Sequence, residues 1–327
     1  MARPVSERVA ALKRDLMGRI ERGYLRPGDR FYSNRQLARQ FGVSYQTADR
    51  LIRELRDAGA LYRERGSGTY VSGRSQLPEA AELIFEERAW TPGSFGAYLL
   101  EQVEGRLGAA GLPYRVRRGG EGVRLQCRTY PVIWECEAAV ERLIRMGGFG
   151  MLLNRRSPPG SSASFLDTVE IDDYSGGVLA GEAMRRQWRV ERPGVFAGPR
   201  NDPRSRRRLE GFREVYPDAD VVHSRSWHYE EALRRASRLL AFGGDGVFCA
   251  NDRLAQAARL AYAAAGKPQP RLLGFDNAPI ARREGLSSIA IPWLEFAEEV
   301  AGGIARRLAG DNGTARRVAL APRLLLR

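Results

Sequence analysis

Five side chains able to read nucleic acid fall on one helical face: Tyr45, Gln46, Asp49, Arg50 and Arg53 recur at spacings of one, three and four. The Gln46 amide can pair with adenine, while Arg50 can donate two bonds to guanine or bridge a phosphate. Tyr45 can reach a phosphate or a thymine methyl, and Arg35 has the same options as Arg50. The alternative for each is a surface residue that only solvates its helix. Other chemistry is scarce. Histidines 223 and 228 and cysteines 127, 136 and 249 lack the short spacings of a zinc site, so no metal is expected. Of the two lysines, Lys13 and Lys267, only Lys267 lies outside the N-terminal segment. It occupies a Gly-Lys-Pro turn, a poor place for a Schiff base, and neither an enzyme nor a cofactor is expected.

Charge supports that emphasis. The 327 residues carry 53 Lys and Arg against 39 Asp and Glu, a net of +14. Residues 1–76 alone hold 16 basic and 8 acidic side chains, a net of +8, which points to a polyanionic partner for that segment. An apolar content of 43 % can fill a real core in each of two or three domains, which excludes a disordered chain. No apolar run nears the roughly 18 residues of a membrane span. With an odd cysteine count and no secretory leader before Pro4, a soluble cytoplasmic protein with no membrane partner is expected.

The elements that must position these groups are legible. Val9, Leu12, Leu16 and Ile20 form the stripe of a first helix that Ser6 would cap and that Gly23 and the turn Pro27-Gly28-Asp29 would end. Ser33 would cap a short second helix stopped by Gly42, and Ser44 a third carrying Ala48, Leu51, Ile52, Leu55 and Ala58 inward. Residues 60–63 and 68–71 read as a hairpin, the wing, around the tip Glu64-Arg65-Gly66-Ser67. Two helices with a tight glycine turn make a helix-turn-helix.

The stretch Pro27 to Phe31, Arg35-Gln36-Leu37-Ala38, Phe41-Gly42-Val43-Ser44 and Arg65 to Val71 resembles the winged helix-turn-helix of the GntR regulators. The resemblance implies that Arg35 and the start of the third helix, with Ser44, Tyr45, Gln46, Thr47 and Arg50, face double-stranded operator DNA. It also implies that Arg65 and Gly66 of the wing approach the minor groove. The chain departs from the family pattern at Phe31-Tyr32-Ser33-Asn34 and at Tyr45 and Asp49.

A domain at 1–72 and a Gly/Ser/Gln/Pro linker at 73–79 would lead into a sensor at 80–327. There, strands alternating with helices imply α/β architecture with parallel sheets. Val169 to Asp173 with Gly176-Gly177, Arg208 to Phe212, Val247 to Ala255 and Leu273 to Asn277 resemble the effector domain of the LacI regulators and periplasmic sugar-binding proteins. The implied fold is a two-subdomain, periplasmic-binding-protein-like domain, closed by a terminal strand over 320–327. Asp172-Asp173 is read as a strand end at its cleft. Too few residues lie between Tyr114 and Gly150 for every expected unit, so one helix is expected to be lost.

The same resemblance implies that Arg208, Asn251 and Asp276 are polar groups at a ligand, with Trp227 and Trp293 as aromatic walls. Guanidinium and carboxylate suit paired hydroxyls and indoles suit a sugar's apolar face. The alternatives are a surface arginine, a helix cap at Asn251-Asp252, and core tryptophans. The expected whole is a homodimeric transcriptional regulator, controlled by a small molecule of carbohydrate type. The competing reading is an architectural DNA-binding protein whose C-terminal domain dimerises without a ligand.

Overall fold

A computed structural model describes residues 7–21, 24–26, 28–64, 66–72, 78–123, 125–126, 129–145, 149–155, 166–311 and 314–327. The expected cap Ser6, stop Gly23, turn residue Pro27, wing residue Arg65, linker residues 73–77 and Cys127 lie outside them. The chain divides into two compact units, Met1–Val169 with Ala297–Val318, and Glu170–Phe296 with Ala319–Arg327.

The first unit opens with helices α1 (Glu7–Glu21), α2 (Asn34–Phe41) and α3 (Tyr45–Asp57), then the antiparallel pair β1 (Leu61–Glu64) and β2 (Gly68–Val71). Leu16, Leu37, Leu51, Leu55 and Val71 are fully buried in one cluster with Phe31, so the apolar stripes do bring the three helices and the hairpin together. Ser33 and Gln36 form a reciprocal capping box. Gly42 ends α2 at φ +61° with its N–H donating to the Ala38 carbonyl, a left-handed backbone that a β-carbon would strain.

A six-stranded sheet follows, from β3 (Ala80–Phe85), β4 (Tyr114–Arg118), β5 (Thr129–Trp134), β6 (Gly150–Leu153), β7 (Leu166–Ile171) and β13 (Arg317–Leu320), in the order β13-β7-β6-β5-β3-β4. Its helices include α4 (Phe95–Ala109) and α5 (Glu137–Arg145). The short stretch after Tyr114 has the expected consequence: no helix lies among the described residues between β4 and β5. Val123 and Leu125 of that connection pack with Ile133 and Val140 instead. Glu82 anchors it from full burial, accepting from Arg117 Nη1 at 2.6 Å, the Gln126 N–H at 3.1 Å and the Thr129 hydroxyl at 3.1 Å.

The second unit holds β8 (Pro193–Ala197), β9 (Asp220–His223), β10 (Gly246–Cys249), β11 (Arg271–Asp276), β12 (Ser287–Ala290) and β14 (Arg323–Leu325), in the order β14-β12-β11-β10-β8-β9. Among the described residues its strand pairings are parallel except that of β12 with β14. The helices are α6 (Asp173–Arg186), α7 (Pro203–Val215), α8 (Tyr229–Ala236), α9 (Asp252–Ala264) and α10 (Pro279–Arg283), while α11 (Trp293–Leu308) starts in this unit and belongs from Ala297 onward to the first. The single terminal strand expected over 320–327 is corrected to two, β13 and β14, in different sheets. The buried Pro322 stands between them and lacks the N–H that a continuous ladder needs.

Two glycines let α6 and α7 touch. A β-carbon on Gly177 would lie 2.1 Å from the Arg208 carbonyl oxygen, and one on Gly211 would lie 2.0 Å from that of Tyr174. This approach sets Arg208 into the interior.

Candidate functional site

In the winged helix, the expected DNA-reading residues divide into exposed groups and groups spent on structure. Arg35 is exposed in the first turn of α2, and Tyr45 (56 % exposed) and Gln46 are exposed at the start of α3. Ser44 caps α3, accepting from the Thr47 N–H at 3.1 Å, and its hydroxyl lies 2.9 Å from that of Thr47. Both side chains thus orient the helix. Arg50 lies back along α3, its Nε 3.7 Å from Glu54. Asp49 accepts from Arg53 and, at 2.9 Å, from Asn34 Nδ2 of α2. Those bonds hold its carboxyl below the usual range and stitch the two helices together. Gly66 is exposed at the wing, at φ +81° with nothing within 4 Å of a β-carbon position, which leaves the backbone able to approach a groove. The expected contact Arg65 lies outside the described residues.

The second unit gathers the other five residues at the carboxyl ends of its strands, where open α/β sheets place ligands. Arg208 is 3 % exposed. Its Nε donates to Asp173 at 2.7 Å, and its Nη1 donates to the Ala250 carbonyl at 2.5 Å and to Asp276 at 3.3 Å. The guanidinium lies 3.6 Å above the centre of the Phe275 ring and 5.7 Å from that of Trp227. A surface position for Arg208 is therefore excluded.

Asp276 ends β11 at φ +101°, a costly backbone for a non-glycine residue. Burial pushes its carboxyl up to about 6 against the pull of Arg208. Burial also raises Asp173 above the usual range despite Arg208. Trp293 Nε1 donates to the Asp276 carbonyl at 3.2 Å. Trp227 Nε1 donates to Asp202 at 2.7 Å. Burial pushes the Asp202 carboxyl upward, but Arg204 and Trp227 together hold it well below the usual range.

Asn251 caps α9, with Oδ1 accepting from the Leu254 N–H at 2.8 Å. Asp173 is the first residue of α6 and Asp172 caps it, accepting from the Ser175 N–H at 3.1 Å. The reading of both as a strand end is corrected. The partner roles of Asp173 and Asp202 were missed. For Asp202 a signal existed, since an aspartate before Pro203 marks a helix start; Asp173 meets Arg208 only through the crossing of α6 and α7.

Residues 8–71 match the family described as bacterial regulatory proteins, gntR family, and residues 151–286 match the periplasmic binding protein domain. The chain therefore joins a GntR-family winged helix to a periplasmic-binding-protein-like domain. A curated relative, the histidine utilization repressor of Klebsiella aerogenes, is 38 % identical over 78 residues, 24 % of this chain and 31 % of that protein. The chain spans about a third of the length of the curated relatives it matches. A solved LacI family transcriptional regulator from Enterococcus faecalis V583 with bound ribose superposes with a TM-score of 0.64 at 22 % identity, over 75 % of this chain and 97 % of that one. The transcriptional regulator CelR-cellobiose complex gives 0.62 at 19 % identity, over 99 % of each chain. These likenesses establish the LacI-like fold. Neither matched domain is an enzyme domain. Among the described residues no helix is long and apolar enough to cross a membrane, and no group of three or more His, Cys, Asp or Glu is placed to hold a metal.

Proposed function

We propose that the chain is a transcriptional regulator, a repressor by the character of its N-terminal relative, whose grip on operator DNA is set by a small ligand in the second unit. The observation that carries this reading is the buried set Arg208, Asp173 and Asp276 with Trp227 and Trp293 at the carboxyl ends of the strands. Fixed guanidinium and carboxylate groups suit paired hydroxyls, and flat indoles suit an apolar ring face. A monosaccharide or close polyol is the ligand class, in line with the ribose and cellobiose in structures of similar fold. Asn251 and Asp276 would touch it, and ligand would act through its differential affinity for one arrangement of the chain. On DNA, Arg35, Tyr45, Gln46, Arg50, Arg65 and Gly66 would make the contacts, with Ser44 and Thr47 fixing the helix. A homodimer on a roughly palindromic site is the working assembly, because one winged helix covers few base pairs.

The test is a thermal-shift screen of the full chain against monosaccharides and polyols, since a ligand bound only by the folded state raises the melting temperature. A sugar that shifts wild type and fails to shift Asp276→Ala supports the reading. Binding of a nucleobase or amino acid, with no carbohydrate bound at millimolar concentration, would overturn the ligand class. A chain that binds its operator yet responds to no small molecule would instead be the architectural protein.

A further inference from the structure

The second unit also carries a cavity of about 550 Å³ that the sensor site does not use. It lies against β9, the outermost strand of its sheet, and three segments converge on it: the loop after β8, the end of β9 with the loop after it, and the end of α8 with the turn that follows. Its lining includes Arg200, Arg225, Arg235, Arg238 and His223, and no carboxylate. Arg235 is paired with Glu231 at 3.4 Å. Arg200, Arg225 and Arg238 have no carboxylate within ion-pairing distance among the described residues.

Like charges in one concavity repel, and its low-dielectric walls focus their field outward, so the arrangement is stabilised by an anion that neutralises it. We propose that this cavity is a second ligand site, specific for a small molecule bearing phosphate groups. Guanidinium forks match phosphate oxygens bidentately, whereas one carboxylate would satisfy fewer of these donors. Pro199, Val221 and Val222 add an apolar wall for the carbon part of such a molecule. The volume exceeds what inorganic phosphate alone would fill.

The cavity is also wired to Trp227. The loop bearing Arg200 begins at Gly198, where a β-carbon would meet the Trp227 ring at 2.4 Å, and ends at Asp202, which accepts the indole N–H at 2.7 Å. The His223 ring bonds to the Gly198 carbonyl at 3.0 Å, and the loop bearing Arg225 carries Trp227 itself. An anion drawing Arg200 and Arg225 together acts on the two loops that clamp this indole.

The experiment is calorimetric titration of the full chain with sodium pyrophosphate, at constant ionic strength, beside sodium sulfate. The variants are Arg225→Gln with Arg238→Gln, and Arg186→Gln as an exposed control arginine outside the cavity. Wild type and the control should bind pyrophosphate alike, and the double variant about 100-fold or more weaker, at roughly ten-fold for each charged bond removed. Its unliganded melting temperature should equal or exceed that of wild type, because neither arginine has a structural ion pair and their removal relieves the repulsion. Equal affinity in the double variant, no pyrophosphate binding in wild type, or sulfate binding as tightly as pyrophosphate would each overturn the proposal. So would duplex DNA displacing pyrophosphate from the wild type but not binding the double variant, which would make the cavity a phosphodiester surface.

Discussion

Replacing Arg208 by methionine should destabilise the second unit, and by an amount that depends on pH. The arginine makes three hydrogen bonds from nearly complete burial, to Asp173, Ala250 and Asp276. Methionine keeps much of the apolar stem over the Phe275 ring but leaves two buried carboxylates without their cation. Breaking a buried ion pair by removing one partner costs about 3–5 kcal/mol. In the wild type, burial already pushes Asp276 up to about 6 and raises Asp173, and loss of Arg208 must raise both further. A carboxyl whose pKa is higher folded than unfolded binds more protons in the folded state, so stability falls as pH rises from the unfolded value toward the folded one. The variant should therefore lose the full amount near pH 8, whereas near pH 5 protonation of Asp173 and Asp276 removes the uncompensated charge. Each unit of pKa difference corresponds to about 1.4 kcal/mol, so two further units on one carboxyl separate the two pH values by about 3 kcal/mol. Guanidinium denaturation read by tryptophan fluorescence at both pH values gives the difference, since Trp227 and Trp293 both bond to this cluster's acidic residues. Adding Asp173→Asn and Asp276→Asn should recover most of the loss at pH 8. Equal destabilisation at the two pH values, or a loss under about 1 kcal/mol at pH 8, would refute the account of Arg208 as the counter-charge of two buried acids.

Gly177→Ala should cost about 1–3 kcal/mol by wedging α6 from α7, since the new carbon meets the Arg208 carbonyl at 2.1 Å. Gly105→Ala, in α4 with open space around it, should instead gain about 0.5–1 kcal/mol, and thermal melts of both variants check the contrast. Ser33→Ala removes the capping box of α2 and should cost about 1 kcal/mol, seen as faster amide exchange in the winged helix. On the operator recovered by sequencing retained DNA, Gln46→Ala should relax preference at one base pair at a cost of about 1–3 kcal/mol. Arg35→Ala should weaken all sequences alike and lower the salt slope by about one; competition binding at several salt concentrations separates the two. A Gln46→Ala protein with unchanged base preference would remove that residue from the reading face.

What the sequence determined by itself was whatever depends on local spacing. The buried stripes of α1 and α3, the Ser33 and Ser44 caps, the Gly42 stop and the hairpin follow from periodicities of 3.6 and 2 and from the few residues able to cap a helix or adopt a positive φ. The alternation of strands and helices, and even the lost helix after β4, followed from counting residues between apolar runs. What only the tertiary structure decided was partnership. Nothing local to Asp173 or Asp202 names Arg208 or Trp227, because those pairs form where α6 crosses α7 and where two loops meet at the strand ends. The same holds for Asn251, since only the folded chain shows its oxygen accepting from the Leu254 N–H. The terminal segment makes the point for strands. Its apolar run is continuous in sequence, yet Pro322 cannot donate to a ladder, and β13 and β14 join separate sheets. Charge followed the same division: the sequence located the basic excess in the first 76 residues, while the arginines that meet in one cavity come from segments up to 38 residues apart. Their mutual repulsion exists only once the chain is folded.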